Sequence, residues 1–427
     1  MKNPFLKKQN VLVYLSVLFL AFTQLSCNNN DDNNNDDNNG DDDDDDVPVG
    51  TLPPVETKPA NSTYVPAFKG QTRIAGIKTE TAYTSKVFAE GLANPWGMDN
   101  LPDGRIIVTQ KAGTMRIVTQ AGTVGATITG IPAVNSSGQG GLLDVAIDPD
   151  FATNRMVYWS FSFNGTAGTA TAVAKGKLSA DETKIENAVV IYKAIPEFNS
   201  TLHYGSRLAW DKQGNLFVST GERSDIASRP LAQKLDAALG KIVRITKNGE
   251  PAAGNPFIGQ TGVLPEIYSY GHRNPQGLAV HPVTGELWEA EHGPLGGDEI
   301  NRITIGKNYG WPTITYGLEY SGAKIGDGIT TKSGMEQPVY YWDPVVSPSG
   351  ITFYSGNLIP EWKNNLFAAA LSGQHVVRLV LKDNVVVAEE RLLTSANSRF
   401  RDVLEGKDGA LYAVTDGANA KIYRIAK

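Results

Sequence analysis

From about residue 80 to the C-terminus the apolar positions come in short runs, broken repeatedly by Gly, Asn, Asp or Pro. Such runs, bounded by residues that favour turns, are the signature of strands and tight connections. One short segment, Pro230 to Leu239, reads as helix and stops at Gly240, as a C-cap should. The runs repeat one plan six times: a polar lead-in, a small residue, an apolar strand, a turn and a second apolar strand. The repeats begin near Trp96, Gly141, Ser206, Gln276, Ser349 and Arg401, and their turns fall near 104, 154, 214, 285, 365 and 409, spaced by 44 to 80 residues. A period of that size with several strands per unit predicts an all-β fold, a six-bladed β-propeller with four-stranded blades. Tyr83 to Phe88 then supplies an outer strand to the last blade and closes the ring.

In a propeller the innermost strand of each blade runs along the central channel, so residues just ahead of it gather at one mouth. Around the ring these are Asn94 and Trp96, Gln139, His203, Arg273 and Asn274, Ser347 and Ser349, and Arg399 and Arg401. Turn residues alone would satisfy a purely structural ring. Three arginines with a histidine and a glutamine around one pit instead predict a ligand with several negative charges. The structural alternative makes each arginine a strut for a neighbouring acid.

Of the five histidines, His203 alone holds an axial position, and no two are spaced i, i+4 like a metal-ligating pair. A neutral imidazole there can take a proton from a hydroxyl. The run Glu291 to Glu299 follows the second strand of the fourth repeat, and its Gly and Pro residues force a turn whose carbonyls can face a cation. Asp298 and Glu299 are hard oxygen groups nearby, a composition that suits calcium. Without an ion the same run is a β-turn with surface acids.

Charge and cysteine usage bound the remaining possibilities. The formal charge is −6, but residues 28–46 hold ten Asp and no base, and the first 27 residues hold three Lys and no acid; outside both, 36 basic residues face 35 acidic ones. The folded part therefore has no basic excess, which excludes a phosphate-neutralising nucleic-acid binder. The single cysteine, Cys27, excludes structural disulfides and Cys-based zinc sites. It follows a basic start (Lys2, Lys7, Lys8) and an apolar stretch, Val11 to Phe22, too short to span a bilayer. Residues 1–27 thus read as a lipoprotein signal peptide with Cys27 the lipidated residue, and an ordinary secretory signal is the alternative. The expected location is the cell envelope, at the outer membrane facing the periplasm or the surface, with membrane contact through the lipid anchor only. Residues 28–79, Asn/Asp-rich and then Pro-containing, read as a disordered N-terminal tether, and residues 80–427 as the propeller domain.

The segments Gly138-QGGLLDVAIDPDF, Ser269-YGHRNPQGLA, Glu291-HGPLGGDEIN, Asn308-YGWP and Arg399-FRDV resemble the soluble dehydrogenases of glucose and other aldose sugars that depend on pyrroloquinoline quinone (PQQ), a glucose/sorbosone dehydrogenase-like family. The likeness runs from about residue 85 to the C-terminus, in order and in matching repeats. It implies a six-bladed propeller with PQQ at its axial mouth and one Ca2+ ion. By that resemblance His203 is the general base for the sugar C1 hydroxyl and Gln139 lies beside it. Arg273 and Asn274 contact the quinone oxygens, Arg399 and Arg401 hold PQQ carboxylates, and the Gly293 and Pro294 carbonyls bind the calcium. Hydride passes from C1 to Ca-bound PQQ, Arg273 polarises the quinone carbonyl, the sugar leaves as a lactone, and an external electron acceptor (quinone, cytochrome or dye) restores the cofactor.

The sequence departs from that family in three places. Leu202 replaces the acid before the histidine, Ser372 replaces a lysine expected near PQQ, and the substrate tryptophan aligns only with a one-residue shift, onto Trp342 or Asp343, so that Trp342 is either a platform for the sugar or a core or surface aromatic. Two other functions fit a six-bladed ring: a calcium-dependent lactonase or esterase, and a surface carbohydrate-binding propeller without catalysis. The largely basic and amide character of the mouth argues against the first.

Overall fold

A computed structural model describes residues 49–427. The signal segment, Cys27 and the Asn/Asp run lie outside the described residues. Among those described, no helix is long and apolar enough to cross a membrane.

The first strand, β1 (Thr84–Leu92), precedes six sheets. Blade 1 holds β2 (Pro95–Asn100), β3 (Ile106–Gln110) and β4 (Thr114–Val118), and blade 2 holds β5 (Leu142–Ile147), β6 (Met156–Asn164), β7 (Thr169–Leu178) and β8 (Ile185–Lys193). Blade 3 follows with β9 (Leu208–Trp210), β10 (Leu216–Thr220), β11 (Lys241–Ile245) and β12 (Ile267–Tyr270). Blade 4 has β13 (Pro275–Val280), β14 (Leu287–Glu291), β15 (Asp298–Ile303) and β16 (Tyr340–Trp342). Blade 5 has β17 (Pro348–Phe353), β18 (Leu366–Ala370), β19 (His375–Lys382) and β20 (Val385–Leu392). Blade 6 has β21 (Phe400–Glu405), β22 (Leu411–Thr415) and β23 (Ala420–Ala426).

Strand β1 pairs antiparallel with β23 and becomes the fourth strand of blade 6, so the two ends of the domain close the ring as expected. Blade 1 has three regular strands; its outer edge is met only by bridges from Val124 and Ile128. The inner strands β2, β5, β9, β13, β17 and β21 contact one another in a closed circle.

Packing follows from the alternation within each blade. Second strands such as β10 (LFVST) and β18 (LFAAA) are buried along their whole length, because neighbouring blades cover both faces. Each junction between adjacent blades carries its own apolar cluster. Trp159 and Ile107 lie between blades 2 and 1, Val173 and Val243 between 2 and 3, and Trp288 and Leu366 between 4 and 5. The stability of the ring is thus spread over six interfaces rather than one core.

The channel is plugged by an ion cluster. Arg207 Nη1 lies 2.9 Å from Asp144 and 3.2 Å from Asp402, with all three side chains buried, and its guanidinium sits 4.2 Å from the Trp96 ring centroid. A cavity of about 580 Å³ lies on the mouth side of this plug, and one of about 220 Å³ on the other.

Two expectations need correction. The helix over Pro230 to Leu239 is a single 3-10 turn, Arg229–Gln233. Beyond it the chain is held by tertiary bonds: the Lys241 ammonium donates to the carbonyls of Leu231, Ala232 and Leu239. The segment 49–79, read as part of a tether, lies against the propeller. Leu52 and Gly76 bridge one another, Gly76 bridges Glu389, and Thr79 donates to Glu390.

Candidate active site

The mouth is built from backbone turns that precede the inner strands. Asn94, His203 and Ser347 all have left-handed backbones there, at φ of 47°, 46° and 53°. Non-glycine residues occupy that region only when surrounding contacts enforce it. At His203 the enforcement is visible. Its backbone N–H donates to Gln139 Oε1 at 2.8 Å, and Gln139 N donates to the carbonyl of Thr201. Gly221 presses against it from the end of β10, where a Cβ would collide with the His203 carbonyl.

His203 is 6% exposed, and its Nδ1 lies 2.7 Å from Glu222 Oε1. Burial, reinforced by the guanidinium groups of Arg273, Arg223 and Arg229, holds the imidazole well below its ordinary pKa, so it is neutral at pH 7. Burial pushes Glu222 up to about 7, against the pull of the same arginines. When Glu222 is ionised it accepts the Nδ1 proton, which leaves Nε2 as the basic nitrogen. Glu222 thus takes the orienting place that Leu202 leaves empty. It lies at the exit of β10, outside the lead-in positions on which the sequence reading concentrated.

The other predicted residues assemble around the same mouth. Gln139, Asn274, Arg399 and Arg401 line the cavity, together with Asn94, Trp96, Lys111, Gln276, His292, Ser347 and Asp416. Arg401 donates to Gln276 Oε1 at 3.1 Å and pairs with Asp416 at 3.2 Å; Arg399 meets the same carboxylate at 3.3 Å. Arg273 is 4% exposed and sends Nη1 to the carbonyls of His292 and Gly293, at 2.8 and 2.7 Å. The backbone N–H groups of Arg273 and Asn274 both donate to Glu291 Oε2. Ser372 and Ser347 bond each other across 2.7 Å, and the cation nearest in kind to a missing lysine is Lys111, from blade 1, whose Nζ donates to the Gly138 carbonyl.

Three candidates are placed differently. Trp342 is 2% exposed, lies in the cluster between blades 4 and 5, and donates its indole N–H to Glu389 at 3.2 Å. The pleat of β16 turns it into the core, so it offers no surface to a sugar. Asp298 has both oxygens engaged by backbone N–H groups, of Gly293 on one side and of Val346 and Ser347 on the other. It shapes the carbonyl turn. Glu299 points to the opposite face of β15, where Asn301 donates to it. On that face His272, Glu289 and Glu291, all buried, bring potential ligand atoms within 4.8 Å of one another, an arrangement the sequence reading missed.

The residues present suit an anionic, hydrogen-bonding cofactor. Arg273 Nε, Asn274 Nδ2, His292 Nε2 and Arg401 Nε are buried and have no protein partner. Buried polar groups are nearly always paired, so four such orphans around one mouth mark where a ligand's acceptors and donors belong. The Gly293–Pro294 turn supplies carbonyl oxygens, the ligand type that calcium takes.

Comparison with known proteins agrees with this geometry. Residues 92–424 match the family model described as Glucose / Sorbosone dehydrogenase. The chain is 41% identical over 344 residues to aldose sugar dehydrogenase YliI of Escherichia coli (strain K12), covering 80% of this chain and 92% of that protein. A crystal structure of a glucose dehydrogenase is similar with a TM-score of 0.77 at 43% identity, over 80% of this chain and 99% of the other. The PQQ-bound form of an aldose sugar dehydrogenase from Streptomyces coelicolor matches with a TM-score of 0.66 at 31% identity, over 82% of this chain and 99% of that one. With its six blades, its basic mouth and its axial histidine, the chain belongs to the glucose/sorbosone dehydrogenase family.

Proposed function

We propose that this protein oxidises aldose sugars at C1 to the lactone, with PQQ and Ca2+ as cofactors and His203 as the base. One observation carries the reading: a neutral imidazole, held by Glu222, stands beside a mouth where four buried donors and ring nitrogens lack any protein partner. When bound, PQQ supplies the hydride acceptor and calcium makes it more electrophilic. Nε2 of His203 takes the proton of the C1 hydroxyl as the C1 hydrogen leaves with its electron pair, and the resulting carbonyl is that of the lactone. Gln139 fixes the height of His203 through its backbone N–H. Arg399 and Arg401, already pinned by Asp416, bind and orient carboxylates without first paying to order themselves. Arg273 and Asn274, anchored on Glu291, would hold the quinone oxygens of PQQ. Turnover requires an external electron acceptor, a quinone, cytochrome or dye.

The reading extends to the N-terminus: Cys27 carries the lipid, and the enzyme works in the cell envelope. The test is dye reduction by the purified protein with PQQ and CaCl2, using glucose and other aldoses, beside His203→Ala. Turnover that needs PQQ and falls by about 10²-fold or more in the variant is expected. Absence of PQQ-dependent turnover on every sugar would remove the reading, and lactone hydrolysis without PQQ would point to a lactonase instead.

A further inference from the structure

The carbonyl turn Gly293–Gly297 is supported from behind by a segment that precedes the ring. Asp343 stands directly against the turn: a Cβ on Gly296 would sit 2.7 Å from Asp343 Oδ1. The Gly297 N–H donates to the carbonyl of Trp342, next in the chain to Asp343, at 2.9 Å. Gly317 packs on the ring of Pro294, 2.7 Å from where its own Cβ would be, and Leu295 and Leu318 exchange both backbone bonds at 3.0 Å. Two supports, Asp343 and the Tyr316–Leu318 stretch, therefore back the turn at Pro294 to Gly297, while Asp298 and Arg273 hold Gly293 at its start.

Both supports are held by residues 61–73. Asn61 gives Asp343 Oδ1 two donors, its backbone N–H at 2.8 Å and its Nδ2 at 2.9 Å. Ser62 gives Oδ2 two more, N–H at 3.0 Å and Oγ at 2.9 Å, and Arg73 donates to the Asp343 carbonyl at 2.6 Å. Gln71 accepts from the Tyr316 hydroxyl at 3.0 Å and donates to the Pro338 carbonyl at 2.9 Å. Asp343 is 4% exposed. Without the side chains of Asn61 and Ser62 that buried carboxylate would keep its two backbone donors but lose Nδ2 and Oγ, and it would have to hydrate or shift, with the turn touching it. The segment lies ahead of residue 92, where the family match begins.

We propose that residues 61–73 form a positioning strap for the cation-bearing turn, with Asn61 and Ser62 acting through Asp343. Its role toward calcium rests on the function proposed above; its role in ordering the turn does not. No residue of the strap lines the mouth cavity. It fixes the spacing of the carbonyl oxygens, so that little ordering remains when the ion arrives.

The test compares three forms of the full protein: wild type, the double variant Asn61→Ala/Ser62→Ala, and Thr79→Ala. Thr79 anchors the same N-terminal segment, but on Glu390 and Trp362 of blade 5, away from the turn. Two readouts are taken. One is the calcium concentration at half-maximal PQQ binding, followed by the quenching of protein fluorescence. The other is amide hydrogen exchange at Gly293 to Leu318 without any ligand. The double variant is expected to need about tenfold more calcium, a loss of about 1.4 kcal/mol, and to exchange faster at Gly297 and Leu318. Thr79→Ala is expected to lower the melting temperature without moving either readout. Unchanged exchange in the double variant, or an equal calcium shift in Thr79→Ala, would overturn the strap. If wild type binds no PQQ at any calcium concentration, the function proposed above fails, and the exchange data alone decide the strap. Should the double variant not fold, Ser62→Ala alone serves with the same readouts, and Ser62→Thr, which keeps the hydroxyl, is expected to restore wild-type values.

Discussion

The imidazole of His203 and the carboxylate of Glu222 meet at 2.7 Å with both side chains buried, one from the lead-in to β9 and the other from the exit of β10. The ionised acid holds the ring in the tautomer that leaves Nε2 free to accept a proton. A protonated Glu222 instead donates to Nδ1 and places the ring proton on Nε2, which would block the role proposed for His203.

The pH dependence follows from this pair. Glu222 has its pKa raised to about 7, so it is protonated below that value and ionised above it. The sugar-oxidation step, measured as kcat/KM with saturating cofactor, should therefore rise with pH through about 7. Glu222→Gln, which keeps an acceptor for Ser224 N–H and Nδ1 but carries no charge and does not titrate, should lower kcat and abolish that rise. PQQ affinity should change little.

Cofactor affinity should depend on the cations of blades 6 and 1. Arg401 has an orphaned Nε and is held by Asp416 and Gln276. Replacing it by Ala should weaken PQQ binding by about 10- to 100-fold, the worth of a charge-assisted hydrogen bond. Lys111→Gln should give a smaller loss, and its dissociation constant should depend less on salt, as titration at two ionic strengths would reveal.

Gly221 has no room for a side chain against the His203 carbonyl. Gly221→Ala should cost about 1–3 kcal/mol of stability, seen in thermal melts. It should also reduce turnover further than the melting shift accounts for, since it moves His203, the proposed base.

Trp342 tests whether its position in sequence or its position in the fold matters. Buried between blades 4 and 5, with its N–H on Glu389, it should destabilise the protein by about 3–5 kcal/mol when changed to Ala. Relative kcat/KM values among glucose and other aldoses should stay as they were.

Much of this architecture was legible from the chain. Six turns with strand-forming runs on either side gave the blade number, and Tyr83 to Phe88 gave the closure. The lead-in residues gave half of the mouth: His203, Arg273, Asn274, Arg399 and Arg401 converge as their repeat positions imply. The other half sits at second-strand exits. Glu222 serves His203 from 19 residues away, Glu291 serves Arg273 from 18, and Asp416 serves Arg401 from 15. These pairs follow from antiparallel pairing, which brings the start of one strand beside the end of the next. The endings Thr-Gly-Glu, Glu-Ala-Glu and Val-Thr-Asp recur and carry that signal. The strap was not legible: Asn61 and Asp343 are 282 residues apart, and a Pro-containing segment without apolar runs looks the same whether or not something receives it. Trp342 was misplaced because β16 is buried along its whole length and Asp343 after it is buried too, so a one-residue shift only moves a side chain from one packed environment to another.

The buried cluster of Arg207, Asp144 and Asp402 makes the axial pit a dead end. On the function proposed above, sugar, lactone and the reoxidising partner would share one doorway, so the lactone would leave before the acceptor reacts and steady-state velocities should plot as parallel lines in the double-reciprocal form.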